Sequence, residues 1–124
     1  MSRSKSPCAT TTWTAPEGIS PKQWSPKVIS GLISDAKNAL VPPAEYESLA
    51  MDPVSRAAAK VYKSLEATLR AANAVSFDDL LVLPVEIFRS DEKTLARYRD
   101  RFQFILVDEY QDTNRAQFQF IKLL

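Results

Sequence analysis

The sequence predicts a mainly α-helical bundle that is followed by one short strand and a final helix. Apolar residues between residues 25 and 101 recur at the i, i+3, i+4 spacing of helix faces. Ser, Asp and Pro stand at the positions where these helices would begin. After residue 101 the pattern changes to the apolar run Phe104-Ile105-Leu106-Val107, which has a strand-like composition and runs directly into acidic residues.

The composition excludes several classes of function. The chain has 124 residues and a formal net charge of +1, so it has the size of one small domain, and binding to a polyanion would need a local patch. It has no histidine, which excludes histidine ligands and histidine-based triads, and its single Cys8 cannot form an internal disulfide. No apolar run approaches the roughly 20 residues that cross a bilayer, and no secretory signal is recognisable, so we expect a cytoplasmic protein without a membrane partner.

Residues 1–22 are rich in Ser, Thr and Pro and show no periodicity. This composition predicts a mobile N-terminal segment. Docking of the segment through Trp13 is the alternative interpretation.

Helix signals then follow one another along the chain. Ser25-Pro26 predicts the start of a first helix that stops before Pro42-Pro43, and Pro43 can begin a short second one. Asp52-Pro53 predicts a long helix to about Ala72. One face of the long helix is charged, and a solvated face is favoured over a DNA-contacting one. The charged residues are Arg56, Lys60, Lys63, Glu66 and Arg70.

The next predicted helix is capped by Ser76, with Asp78 and Asp79 in its first turn, where the helix dipole favours negative charge. It is apolar nearly all round, which predicts burial, and Pro84 should kink it. Asp91 is expected to cap a polar helix that ends near residue 101.

The acids after the apolar run suggest a nucleotide site. A continuous apolar strand is typical of a parallel sheet, in which ligands bind beyond the carboxyl ends of the strands. At that end Asp108 could hold Mg²⁺, and Glu109 could deprotonate a water that attacks a γ-phosphate. Taken alone the signal is weak, because buried strands often end in a polar pair.

Longer motifs are more specific. Residues 104–114, followed by Gln117, resemble motif II (Walker B) of the UvrD/Rep/PcrA-type superfamily 1 DNA helicases. Residues 77–81, Phe-Asp-Asp-Leu-Leu, resemble the element that precedes motif II in this family. Residues 33–38 and 43–46 resemble its helical insertion. The resemblance covers roughly residues 23–124.

The resemblance implies an enzyme in which two RecA-like domains bind ATP and Mg²⁺ between them and move along single-stranded DNA, usually 3′ to 5′, while separating duplex DNA. Residues 23–101 would be most of the helical subdomain 1B, and residues 102–124 would return to the RecA-like core. By position in motif II, Asp108 would coordinate Mg²⁺ and Glu109 would be the general base. Gln111 would lie near the γ-phosphate, and Asp112 would join the network that couples hydrolysis to movement.

A phosphate-binding loop, G-x-x-x-x-G-K-[ST], is required by such an enzyme but is not found in the sequence, whose two glycines are Gly18 and Gly31. We therefore expect a fragment that is inactive by itself and that needs the remainder of the helicase. The unpaired strand, residues 104–107, would favour self-association or aggregation, or else local disorder of the chain after Arg101. The alternative from another class is a small non-catalytic helical module that binds DNA or a helicase.

Overall fold

The computed structural model describes residue 19 and residues 23–124, and within them the protein is helical. Six α-helices and one short 3₁₀ helix follow one another. They are α1 (Pro26–Asn38), α2 (Pro43–Leu49), α3 (Pro53–Ala71), α4 (Asp79–Ser90), α5 (Glu92–Arg101), the 3₁₀ helix Tyr110–Asp112, and α6 (Arg115–Leu123). The predicted mobile segment and its alternative, docking through Trp13, fall outside the described residues, except for Ile19. No helix in the described part of the chain is long and apolar enough to span a membrane.

The predicted starts of α1, α2, α3 and α5 are confirmed, whereas α4 begins at Asp79 with Asp78, and not Ser76, at its N-cap. Proline occupies the first position of α1, α2 and α3. The side chain of Asp52 accepts a hydrogen bond from the Ser55 N–H, and Asp91 accepts from the N–H groups of Lys93 and Thr94. These bonds satisfy backbone donors that have no partner inside the helix.

The first three helices form the N-terminal helix group, which has a closed hydrophobic core. Helices α1 and α2 both pack against α3. The Tyr62 hydroxyl donates to the Val41 carbonyl at 3.0 Å, and its ring meets Tyr46 edge-on at 6.1 Å. The buried core residues are Ile29, Ile33, Ala36, Ala57, Ala58, Val61 and Tyr62.

The last three helices form the C-terminal helix group, in which α4 packs against both α5 and α6. Its buried residues are Val85, Phe88, Leu95 and Ala116, along with Asp79. The ring of Phe88 stacks on Phe120 at 5.8 Å and lies 5.3 Å from Tyr98. A small aromatic cluster therefore holds this group together.

The prediction that α4 is buried all round is wrong. Leu80 is 62% exposed and Ile87 is 48% exposed. The reason is geometric, since α5 and α6 cover one side of the helix and leave its other apolar side uncovered. Pro84 lies inside α4 as expected.

The predicted strand is absent from the structure. Residues 102–109 belong to no strand, and the described residues contain none. A strand needs a neighbour to pair its backbone N–H and C=O groups, and none is available in this part of the chain. The side chains still alternate as in an extended segment. Phe104 and Leu106 are 97% and 99% exposed, whereas Ile105 is 44% exposed and Val107 is partly buried.

Four of the five charged residues on α3 are exposed, as both a solvated face and a DNA-contacting face require, so the choice between the two stays a prediction. Arg56, Lys60, Lys63 and Arg70 are exposed. Glu66 is the exception, because its carboxylate forms an ion pair with the buried Lys37 of α1 at 2.6 Å.

Candidate functional site: an acidic pocket between the extended segment and α6

Three of the four predicted site residues surround one pocket. Asp108, Glu109 and Asp112 lie on its lining, and its volume is about 350 Å³. Gln111 is exposed and does not line the pocket. The remaining lining residues are Leu81, Val107, Thr113, Gln117, Phe120 and Ile121.

A tight turn brings these acids together. The 3₁₀ helix Tyr110–Asp112 follows Glu109, and the Asp112 N–H donates to the Glu109 carbonyl at 2.9 Å. The Thr113 hydroxyl donates to the Tyr110 carbonyl at 2.8 Å. Because the chain turns back within these few residues, carboxylates from both sides of the turn face the same pocket.

The end of the turn is fixed by the start of α6. Asn114 is the N-cap, and its side chain accepts from the Gln117 N–H while the Gln117 side chain accepts from the Asn114 N–H. This reciprocal capping box satisfies two backbone donors. The cap is Asn114 and not Thr113, whose hydroxyl is used in the turn.

Glu109 has an uncommon backbone conformation, with φ 50° and ψ 43°. Residues other than glycine seldom adopt this left-handed region, which costs roughly 1–2 kcal/mol. Such outliers concentrate at functional sites. The Asp108 carboxylate accepts a hydrogen bond from the Glu109 N–H at 2.9 Å, so the two candidate residues are held in one local arrangement.

The apolar side of the pocket was not apparent from the sequence. Leu81 comes from α4, and Phe120 and Ile121 come from α6. Leu81 belongs to the Phe-Asp-Asp-Leu-Leu element, so the motif itself was recognisable, but its proximity to the acids depends on how α4 packs on α6. Tyr110 packs at an angle against Phe118 at 6.4 Å, in keeping with a packing role.

A family model identifies the family of the chain. The model described as UvrD/REP helicase N-terminal domain matches residues 7–124. The chain belongs to the UvrD/REP helicase family.

Curated relatives of this UvrD/REP family member include three proteins named ATP-dependent DNA helicase PcrA. The one from Leuconostoc citreum is 41% identical over 102 residues, which are 82% of this chain and 14% of the relative. Those from Staphylococcus epidermidis and Staphylococcus aureus are 41% and 40% identical over 108 residues, which are 87% of this chain and 15% of each relative. The chain thus spans about 14–15% of the length of these relatives.

The donor set of this UvrD/REP pocket fits Mg²⁺. Asp108, Glu109 and Asp112 are exposed carboxylates at the pocket. Within the described residues, no three or more His, Cys, Asp or Glu side chains form a cluster that could hold a metal by themselves. Mg²⁺ commonly takes one or two carboxylates and completes its shell with waters and substrate phosphates, so a complete protein cage is not required.

Proposed function

We propose that this chain is the part of an ATP-dependent DNA helicase that carries the acids for ATP hydrolysis together with a helical DNA-contacting unit. The intact enzyme would couple ATP hydrolysis to 3′–5′ translocation on single-stranded DNA and to duplex unwinding. One observation carries the proposal. Asp108, Glu109 and Asp112 meet at one pocket in a chain that is about 40% identical to PcrA helicases over this region.

Within this proposal each acid has a separate role. Asp108 would hold Mg²⁺, which supplies charge neutralisation at the β- and γ-phosphates when bound. Glu109 would accept the proton of the attacking water, and its exposed carboxylate can reach a water in the pocket. Asp112 would belong to the network that links hydrolysis to movement. Gln111 lies beside the pocket lining, and we assign it to contact with the γ-phosphate from the adjoining turn.

The domain division belongs to the same proposal. Residues 23–101 would form the 1B-like helical subdomain that contacts DNA, and residues 102–124 would belong to a RecA-like core. Helix α6 packs on α4, so the two parts share a contact surface through which DNA binding could influence the acidic pocket. The intact enzyme would act in the cytoplasm.

The 124-residue polypeptide by itself is expected to be inactive. A phosphate loop would hold the triphosphate through backbone N–H groups and a lysine. Gly31 lies inside α1 and forms no such loop, and the sequence contains no G-x-x-x-x-G-K-[ST] pattern. We expect ATP affinity weaker than millimolar and no hydrolysis above background, with or without single-stranded DNA.

A chimeric helicase tests the proposed function. Residues 23–124 would replace the matching segment of the Leuconostoc citreum PcrA helicase, and DNA-stimulated ATP hydrolysis and unwinding would be measured. We expect activity, and we expect Glu109→Gln to lower kcat by about 10²–10⁴-fold, the usual contribution of a general base.

Glu92→Gln is the matched control, because Glu92 is an exposed glutamate in the first turn of α5 and lies outside the pocket. It should retain the activity of the chimera. Equal losses in both variants, or hydrolysis that persists in Glu109→Gln, would contradict the assignment. Tight single-strand binding by the 124-residue chain, combined with an inactive chimera, would favour the non-catalytic binding module.

A further inference from the structure

Lys37 is a buried cation at the end of α1. It is 2% exposed, and its Nζ lies 2.6 Å from Glu66 Oε1 in α3 and 2.7 Å from Asp79 Oδ1 in α4. It also donates to the Ser76 hydroxyl at 3.0 Å. The ammonium donates hydrogen bonds to Ser76 and Asp79, and Glu66 is paired with it by charge.

These partners join the two helix groups. Lys37 and Glu66 belong to the N-terminal helix group, and Asp79 is the first residue of α4 in the C-terminal helix group. A second polar contact runs beside the first, since the Ser34 hydroxyl donates to Asp78 Oδ1 at 3.1 Å.

The core cluster of the N-terminal helix group contains no residue of α4. All buried members of the cluster, and all the partly buried residues packed against it, come from residues 19–65. Helix α1 also contacts α4 and α6, and the polar groups give its junction with α4 defined directions. Apolar contacts tolerate sliding, whereas a buried ammonium that leaves its carboxylate becomes an unpaired charge.

The start of α4 is itself held in place by Asp79. Its second carboxylate oxygen accepts from the Ser76 N–H at 2.8 Å, and the Ser76 hydroxyl accepts from the Asp79 N–H at 3.3 Å. Asp79 thus links Lys37 to the backbone at the first turn of the helix. Two residues later, Leu81 lines the acidic pocket.

We propose that Lys37 is a positioning residue that fixes the orientation of the C-terminal helix group, and with it the acidic pocket, relative to the N-terminal helix group. The ion pair with Asp79 is the directional contact, and Glu66 anchors the ammonium on α3. The role of this junction in coupling DNA contact to hydrolysis rests on the proposed function, but the positioning itself is a property of the chain.

Buried ion pairs contribute little to net stability, while the loss of one partner alone is strongly destabilising. The test variant must therefore remove both charges together. Lys37→Met with Asp79→Asn keeps a side chain of similar length at position 37 and an oxygen acceptor for the Ser76 N–H. The Glu66 side chain is one-third exposed, although its Oε1 is buried, so it has to turn toward water in this variant.

An exposed ion pair supplies the matched control. Lys63 and Glu47 form a salt bridge between α3 and α2, within the N-terminal helix group. Lys63→Met with Glu47→Gln makes the same chemical change without touching the junction.

Distances between spin labels report the orientation of the C-terminal helix group relative to the N-terminal helix group. Nitroxides would be attached at Lys60→Cys in α3 and Lys122→Cys in α6, two exposed positions, in a Cys8→Ser background. A second pair at Lys93→Cys and Lys122→Cys reports packing inside the C-terminal helix group. We expect one narrow distance for both pairs in the otherwise unaltered chain and in the Lys63/Glu47 control.

In the Lys37/Asp79 variant, the distance between the groups should lose its single narrow distribution, while the distance inside the C-terminal group and the circular dichroism stay unchanged. If this variant does not fold, Asp79→Asn alone, which leaves Lys37 paired with Glu66, should broaden the same distance. An unchanged distance between the groups, or equal broadening of both pairs, would overturn the proposal. The measurement uses neither ATP nor DNA, so its failure is separate from failure of the chimeric helicase.

Discussion

The two helix groups differ in how completely they cover their own apolar surface. In the N-terminal group, Ala58 is fully buried and Ile33 is 4% exposed. Phe77, just before α4, and Phe104 and Leu106, before α6, are 89%, 97% and 99% exposed. The first group has a closed core, with Val28 and Leu49 exposed at its surface, while the second and the segments before α4 and α6 expose several large side chains.

The difference follows from the residues that form each interface. Three consecutive alanines, Ala57, Ala58 and Ala59, are buried on α3, and small side chains let neighbouring helices approach closely. The C-terminal group buries its aromatic cluster on one side of α4 only. Exposed apolar surface of this extent is typical of an interaction site. We expect another protein surface to cover it, with the remainder of a helicase as the proposed partner.

Truncation of a core side chain should have the largest effect on the free energy of unfolding. It tests whether the core of the N-terminal helix group is fully buried. Ile33→Ala is expected to lower the free energy of unfolding by about 2–5 kcal/mol, because it removes buried methyl groups and leaves a cavity. Leu106→Ala is the control, and it should stay within about 0.5 kcal/mol because its side chain already faces water. Urea unfolding followed by circular dichroism measures both. Similar losses would mean that Leu106 is covered in solution and that the two groups do not differ.

Removing the N-cap of α6 should lower the free energy of unfolding by less than the core truncation does. It sharpens the comparison between the two helix groups, because it tests local stabilisation in the C-terminal group. Asn114→Ala removes the acceptor for the Gln117 N–H and should cost about 0.5–2 kcal/mol. Asn114→Ser retains a capping oxygen and should restore most of the loss. Hydrogen exchange should locate the change in α6 and the adjacent turn. A loss spread evenly over α1–α3 would show that the groups unfold as one unit.

Much of the fold was predictable because helix starts are encoded locally. Pro26, Pro43 and Pro53 each occupy the first position of a helix, and Asp52 and Asp91 accept the expected backbone hydrogen bonds. The candidate acids were also found from local order, since Asp108 and Glu109 follow an apolar run and Asp112 follows within the same motif.

Features that depend on distant residues were not predictable. Lys37 and Asp79 are 42 positions apart, and nothing in the pattern around either residue specifies the other. Strand formation at residues 104–107 depends on neighbours that the described part of the chain does not provide. The outer side of α4 is apolar in sequence and yet exposed, because periodicity reports which side chains are apolar and not whether anything covers them.

Acid should weaken the junction between the groups to a smaller extent than these substitutions. Burial alone would raise the pKa of Asp79, but hydrogen bonds from Lys37 and Ser76 outweigh it and hold the pKa below 3.8. Its stabilising contribution is therefore present above pH 3.8 and is lost as pH falls through the lower folded value. Burial would likewise lower the pKa of Lys37, but Asp79 and Glu66 raise it above 10.5, so this contribution is lost only as pH rises beyond 10.5.

The Lys37→Met, Asp79→Asn variant, which lacks the ion pair between these two residues, should accordingly lose less stability below pH 3.8 than the unaltered chain. The exposed caps Asp52 and Asp91 also have lowered pKa values, caused mainly by hydrogen bonds from Ser55 and Thr94, but they are present in both proteins. Urea midpoints across the acid range give the comparison, with the Lys63→Met, Glu47→Gln variant as control. Parallel curves for the Lys37/Asp79 variant and the unaltered chain would contradict a role for Asp79.

The smallest effect on stability is expected at the exposed extended segment, although its effect on association should be clear. Phe104 and Leu106 are almost fully exposed on a segment whose backbone has no strand partner in the described residues, and such a segment can pair with a second copy. Phe104→Ser with Leu106→Lys should change the free energy of unfolding by less than about 0.5 kcal/mol. We expect the unaltered chain to associate with rising concentration in sedimentation, and the same substitutions should reduce this association, because a lysine on an edge opposes pairing. Val28→Ser with Leu49→Lys, at two exposed positions in the N-terminal group, is the control and should leave association unchanged.

A monomeric unaltered chain with strong hydrogen-exchange protection at residues 104–107 would show instead that other parts of the same chain cover the segment. The contrast between the two groups would then disappear at its most exposed point.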